Sequence, residues 1–171
     1  VKATLEFSTY MRGYISERRR SLGDDLLSEL IRAEEQGQKL SEDELVTTAI
    51  LLLNAGHEAT VHGIGNGIKV LLERKHQGPV DDLLTDELLR FDAPLHMFTR
   101  YALEDMEYRC IALKKGDVIG LLLGSANRDS TKFERPDDVV AARASNPHVT
   151  FGAGIHFCIG APLARLEMEI A

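Results

Sequence analysis

Apolar residues recur at helical spacing from the N-terminus onward. Phe7, Tyr10, Met11, Tyr14 and Ile15 follow the i, i+3, i+4 rule of an amphipathic helix, and charged Glu17–Arg20 followed by Gly23 marks its end. A second helix is predicted from a cap at Asp24, with Leu26, Leu27, Leu30 and Ile31 on its buried face and Gly37 as its breaker. Ser41-Glu42-Asp43-Glu44 has the form of a capping box, serine at the cap and glutamate three residues later. It opens an unusually long helical stretch that reaches about Glu73. After Gly78-Pro79 a shorter helix is predicted near Asp81–Phe91, ending before Pro94. The texture then changes. Thr99–Leu103, Tyr108–Leu113 and Val118–Leu123 read as short strands, with Lys115-Gly116-Asp117 as a turn. Asn127–Asn146 has little periodicity and reads as a meandering loop. A Gly-rich loop, Phe151–Gly160, leads into a last helix from Pro162. The expected fold is mainly α with a small β portion.

Composition narrows the class. The chain has 171 residues, 44% of them hydrophobic and 27% charged, which suits a single globular domain over residues 1–171 and excludes wholesale disorder. Twenty Lys and Arg against 27 Asp and Glu give a net charge of −7 with no basic tract, so neither nucleic acid nor a membrane is expected as a partner. The longest apolar runs, Ala49–Leu53 and Val118–Leu123, fall far short of the roughly 20 residues of a spanning helix. Val1-Lys2-Ala3-Thr4 lacks the layout of a signal peptide and an initiator Met, so the sequence reads as an excerpt of a longer one. Cys110 and Cys158 make no disulfide framework, and a reducing, cytoplasmic setting is expected. His57, His62, His76, His96 and His148 show no paired metal spacing, and Cys110 reads as an inert strand residue.

The chemistry concentrates in Phe151-Gly152-Ala153-Gly154-Ile155-His156-Phe157-Cys158-Ile159-Gly160. Its three glycines let the backbone turn where side chains would clash and admit a bulky flat partner at close range. Cys158 lies just before a helix whose first turn carries Pro162. Free N–H groups and the positive helix end favour the thiolate form at such a place. A lone anionic sulfur in a water-poor loop is what a single axial iron ligand requires. Two other readings remain open: a buried structural thiol, and a phosphate-cradling loop, although the Lys and Ser/Thr of the latter are absent.

The order Phe-Gly-x-Gly-x-His-x-Cys-x-Gly resembles the haem-binding loop of the cytochrome P450 family in its soluble bacterial form. The resemblance implies that Cys158 is the proximal ligand of a haem b iron. It further implies that His156 donates to a haem propionate, that the Phe151 ring packs beside the sulfur, and that Gly152 and Gly154 belong to the cofactor-binding loop. Upstream, Glu87-Leu88-Leu89-Arg90 reads by itself as an ordinary i, i+3 helical ion pair. About seventy residues before Cys158, it resembles the family's Glu-x-x-Arg, which anchors the meander below the haem, and Arg143 resembles the arginine that completes that network. Arg100, in Phe98-Thr99-Arg100-Tyr101, resembles the family's second propionate partner; an exposed strand arginine is the other reading.

Within the long helix, Ala49, Leu52, Gly56, Ala59, Gly63 and Gly67 fall on one stripe of mostly small residues. Four glycines, at 56, 63, 65 and 67, cost a helix about 3–4 kcal/mol against alanine, so something needs the close approach. That could be tight helix packing or a helix crossing a flat cofactor. Ala55-Gly56-His57-Glu58-Ala59-Thr60 resembles the family signature Ala/Gly-Gly-x-Asp/Glu-Thr, in which acid and alcohol deliver protons for oxygen activation. Glu58 supplies the acid, and Ala55 and Gly56 the cofactor-facing wall. Ala59 stands where the alcohol belongs; Thr60 is one residue late, about 100° further round, with the Gly56 carbonyl four residues back as an available acceptor.

By resemblance the fold is therefore part of a cytochrome P450 domain, helices about H to L plus the haem-thiolate loop, lacking the N-terminal segments and the extreme C-terminus. The implied activity is a monooxygenase that inserts one oxygen atom of dioxygen into a small organic substrate. Its electrons would come from NAD(P)H through a ferredoxin or flavoprotein reductase. The competing expectation is a truncated, non-catalytic haem-binding remnant of such an enzyme, for which the missing termini and Ala59 speak.

Overall fold

The computed structural model describes residues 2–35 and 40–171, which group into two compact units, residues 1–57 and 58–171. The expected break at Gly37 lies outside the described residues. Among the described residues no helix is long and apolar enough to cross a membrane.

The first unit holds α1 (Lys2–Arg18), α2 (Leu26–Glu35) and the first half of α3 (Glu42–Glu73). Its core is Met11 and Ile15 of α1, Ile31 of α2, and Leu45, Val46 and Ala49 of α3, with Phe7, Leu22, Leu27, Leu30 and Ile50 packed around them. The capping box forms as read: the Ser41 N–H donates to Glu44 Oε2 at 2.8 Å and the Glu44 N–H to Ser41 Oγ at 3.3 Å. Two details of α2 differ from expectation. The cap is Asp25, whose Oδ1 accepts the Ser28 N–H at 2.9 Å and whose other oxygen is held by Ser28 Oγ and Arg18; Asp24 is exposed. Starting the helix one residue later turns Leu26 outward, 61% exposed, while Ser28 is fully buried.

The second unit holds the rest of α3, α4 (Asp82–Phe91), four strands, α5 (Leu123–Ala126) and α6 (Ala161–Ile170). The Asp81 carboxylate caps α4 by accepting the Leu84 N–H at 2.9 Å. Val70, Leu84 and Leu88 form the core, with Leu71, Val80, Phe91, Val139 and Met168 against it. Strand β1 (Met97–Tyr101) pairs antiparallel with β4 (Val118–Leu122), Thr99 opposite Gly120. The expected single strand Tyr108–Leu113 is instead a hairpin, β2 (Met106–Tyr108) against β3 (Ile111–Leu113). Arg109 and Cys110 make its two-residue turn, both in the left-handed region with φ 47° and 66°. Cys110 is thus a turn residue with an exposed thiol and not a strand residue.

The glycine stripe of α3 divides by environment. Added Cβ atoms at Gly63 and Gly67 would lie 3.3 Å and 3.5 Å from the Met168 side chain, so these two serve close packing against α6. Gly56 and Gly65 face open space.

Candidate functional site

Helix α4 is amphipathic in an unusual sense: Glu87 and Arg90 are as deeply buried as Leu84, Leu88 and Leu89, at 0% and 1% exposure. Burying both is possible because every donor and acceptor is used. Arg90 gives Nε and one Nη2 proton to the two Glu87 oxygens, both at 2.8 Å. Its other three protons go to the carbonyls of Asn127, Pro136 and Asp138 at 2.8–2.9 Å, so all five are placed. Glu87 accepts three bonds on each oxygen: Arg90, Arg143 and the Val140 N–H on Oε1, and Arg90, Arg143 and Asn146 on Oε2. Burial alone would raise the Glu87 pKa, but the hydrogen bonds from Arg90, Arg143 and Val140 prevail and hold it at about 2. Arg143 adds a bond of 2.7 Å to the Glu134 carbonyl. The irregular segment after α5 is therefore tied, carbonyl by carbonyl, to one helix.

The glycine loop begins where that meander ends. Asn127, fully buried, donates to Thr150 Oγ1 and accepts the Val149 N–H, both at 2.8 Å, while Thr150 Oγ1 donates to the Leu89 carbonyl at 2.8 Å. Gly152 and Gly154 then take φ of 74° and 66°, a conformation that disfavours any other residue here. The loop closes on itself through the Cys158 N–H, which donates to the Phe151 carbonyl at 2.9 Å, and the Cys158 carbonyl accepts the Ala161 N–H. The Phe151 ring meets Phe157 edge-on at 6.3 Å and carries the Arg165 guanidinium 4.7 Å above it. Gly160 precedes α6 without a side-chain cap, and Pro162 lies in its first turn. The Cys158 thiol is free and exposed, so it is not a buried structural cysteine. Around it Ile155, Phe157 and Ile159 are 98%, 50% and 92% exposed, an apolar surface presented by the loop itself.

The other expected site residues fall as follows. Arg143 joins Glu87 and Arg90. Arg100 is exposed on β1 and, among the described residues, its guanidinium bonds only the neighbouring Thr99 carbonyl, at 2.9 Å. The exposed His156 side chain has no hydrogen-bond partner among the described residues. Ala55, Gly56 and Glu58 are exposed on α3, Glu58 lying 4.0 Å from His62 one turn on. The Thr60 hydroxyl does not use the carbonyl four residues back, unlike Thr47, which bonds Asp43 O at 2.9 Å. Not expected at the site from the sequence were Asn127, Thr150, Asp86, His148 and Arg165.

A family model for cytochrome P450 matches residues 79–171, which contain both the Glu87–Arg90 pair and the Cys158 loop. The chain belongs to the cytochrome P450 family. Among the P450s it resembles is the polyketide biosynthesis cytochrome P450 PksS of Bacillus subtilis (strain 168), 44% identical across 99% of this chain and 44% of that protein. A vitamin D(3) 25-hydroxylase of Pseudonocardia autotrophica is 42% identical across 94% of this chain and 43% of its own length. Among solved structures, PksS superposes with a TM-score of 0.91, covering 99% of this chain and 46% of the other. A P450 described as forming a C–S bond in chuangxinmycin biosynthesis does so at 0.92 and 41% identity, over 99% and 44% of the two chains. The mainly helical fold with a small sheet portion is thus the P450 fold. The chain spans less than half the length of these P450 relatives.

Proposed function

We propose that the chain is the haem-binding portion of a P450 monooxygenase, with residues 1–171 part of one such domain and Cys158 the protein ligand of a haem b iron. The observation that carries this reading is the donor set. Cys158 offers one free exposed sulfur, and the described residues contain no group of three His, Cys, Asp or Glu able to hold a metal. One sulfur does not cage a bare ion, but it serves a metal that brings four ligands of its own. The exposed Ile155, Phe157 and Ile159 suit the flat apolar face of a macrocycle.

When bound, a thiolate-ligated haem supplies the electron density that favours O–O cleavage. The residues of this chain then have the following work. Gly152 and Gly154 keep the loop backbone free of side chains, and Phe151 packs at its base. His156 and Arg100, neither engaged with a carboxylate among the described residues, are donors suited to the two propionates. Ala55 and Gly56 leave their part of α3 without bulk. The Glu58 carboxylate takes up and releases a proton, with the Thr60 hydroxyl as a second carrier. Glu87, Arg90 and Arg143 hold the meander. Overall, dioxygen, two electrons and two protons place one oxygen atom in a substrate C–H bond and release the other as water. The electrons come from NAD(P)H through a ferredoxin or flavoprotein reductase. The names of the relatives span polyketide and vitamin D chemistry, so the proposed substrate is a small organic molecule, in the cytoplasm.

A second reading, a haem-binding remnant without turnover, is favoured by Ala59 and by the Thr60 hydroxyl, which bonds no group among the described residues. The ferrous–CO spectrum of the haem-loaded chain tests the first step. A thiolate-type shifted band that disappears in Cys158→Ser supports the proposed ligand; haem uptake unchanged in spectrum by that substitution refutes it. A shifted band without oxygen consumption in the presence of reductase and substrates favours the remnant.

A further inference from the structure

Asp86 and Glu87 are neighbours on α4, yet they serve different parts of the unit. Glu87 gathers the meander. Asp86 instead receives two side chains that bracket the cysteine loop. Upstream of the loop, His148 Nε2 lies 3.4 Å from Asp86 Oδ1; downstream, on α6, Arg165 Nε donates to the same oxygen at 2.7 Å. His148 is almost wholly buried, with 3% of its side chain exposed. Its Nδ1 accepts the Thr150 N–H at 3.3 Å, so the ring proton belongs on Nε2, where it points at Asp86. Both partners also touch the first residue of the loop: the His148 ring lies 5.9 Å from the Phe151 ring, and the Arg165 guanidinium 4.7 Å above it. Phe151 in turn accepts the Cys158 N–H at 2.9 Å.

We infer that Asp86, acting through His148 and Arg165, is the positioning residue of the Cys158 loop, a clamp on both its legs distinct from the Glu87 network. The inference rests on the reading of Cys158 as the ligand, which it deepens. A loop with two left-handed glycines has little stiffness of its own. Its place is set by what holds its ends: Thr150, bonded to Asn127 and the Leu89 carbonyl, fixes the start, and one carboxylate oxygen reaches both legs. Burial would raise the Asp86 pKa, yet the bonds from His148 and Arg165 keep it low, so the clamp stays charged.

The test uses the full chain, first without haem. Asp86→Asn keeps the shape and removes the charge. Amide exchange at Thr150 and Cys158 should accelerate about tenfold, the equivalent of one charge-assisted hydrogen bond, while Val140, bonded to Glu87, is unchanged. Arg165→Lys, at a position one-third exposed, should show the same pattern at smaller size without risk to the fold. After haem loading, the share of the thiolate-type ferrous–CO band should fall in both variants. Equal acceleration at Val140, or none at Cys158 in Arg165→Lys, overturns the inference. The exchange readout needs no haem, so it decides the clamp even if the wild-type chain shows no thiolate-type band, a result that would count against the haem reading alone.

Discussion

Replacing Glu87 by Gln tests whether the buried ion network organises the meander. The carboxylate accepts six hydrogen bonds, three on each oxygen, and every one comes from a donor. An amide can be placed in either of two orientations. In both, its NH2 faces three donors and its oxygen serves only the other three. Arg90 is then left as a fully buried cation with three carbonyls and no counter-charge. Removing one partner of such a pair costs about 3–5 kcal/mol, a large share of the roughly 5–15 kcal/mol that a domain has. Urea unfolding of the variant beside the wild type gives the total. Exchange of the Val140 amide, which donates directly to Glu87 Oε1 at 2.8 Å, gives the local part. Pairing Glu87→Gln with Arg90→Met should cost less than the sum of the two single changes, because the stranded charge is gone. A loss below about 1 kcal/mol for Glu87→Gln, with Val140 still protected, would show that the network does not carry the meander.

Acid should act on the same group. The Glu87 pKa is lowered from 4.5 to about 2, so its stabilisation is complete above pH 4.5 and fades as pH falls toward 2; at about 1.4 kcal/mol per unit this is about 3 kcal/mol, seen as a slope of unfolding free energy that Glu87→Gln flattens. Gly65→Ala should raise stability by about 0.5–1 kcal/mol in urea unfolding, since an added Cβ meets nothing within 4 Å on the helix. Gly152→Ala should lower it by about 1–2 kcal/mol, because φ is 74° and the new Cβ would lie 3.4 Å from the His156 carbonyl. Ala59→Thr should raise product formed per oxygen consumed in the reductase-coupled reaction; unchanged peroxide release would show that the missing alcohol does not limit proton delivery.

The sequence pattern revealed most where the rule is local. The Ser41–Glu44 capping box, the long helix behind it and the Asp81–Phe91 helix are short-range patterns, and each appears in the structure. The Phe151–Gly160 turn was legible from its glycines, two of which take the left-handed conformation. Tyr108–Leu113 misled because an Arg-Cys turn carries none of the Gly, Asn or Asp that usually mark left-handed residues. Asp24 and Asp25 are equally good caps by type, and only the fit of Ser28 into the core chooses between them. Asp86, His148 and Arg165 were hidden for a different reason. They are 62 and 79 residues apart along the chain, and nothing about an Asp, a His or an Arg taken alone announces a shared oxygen.

Five side chains of α4 between Leu84 and Arg90 are committed in different directions: Leu84 and Leu88 to the core, Glu87 and Arg90 to the meander, and Asp86 to the two legs of the cysteine loop. One residue inserted or deleted within this stretch would rotate everything beyond it by about 100° and exchange these assignments among faces that cannot accept them. Length variation in natural or engineered homologues should therefore be accommodated at Gln77–Pro79, between the end of α3 and the Asp81 cap, where three successive residues lie outside any helix or strand; His76, whose N–H bonds the Leu71 carbonyl at 2.9 Å, and Val80, packed on the core, flank them. Insertions or deletions at junctions placed there should preserve the register of α4, whereas the same changes between Leu84 and Arg90 should scramble it.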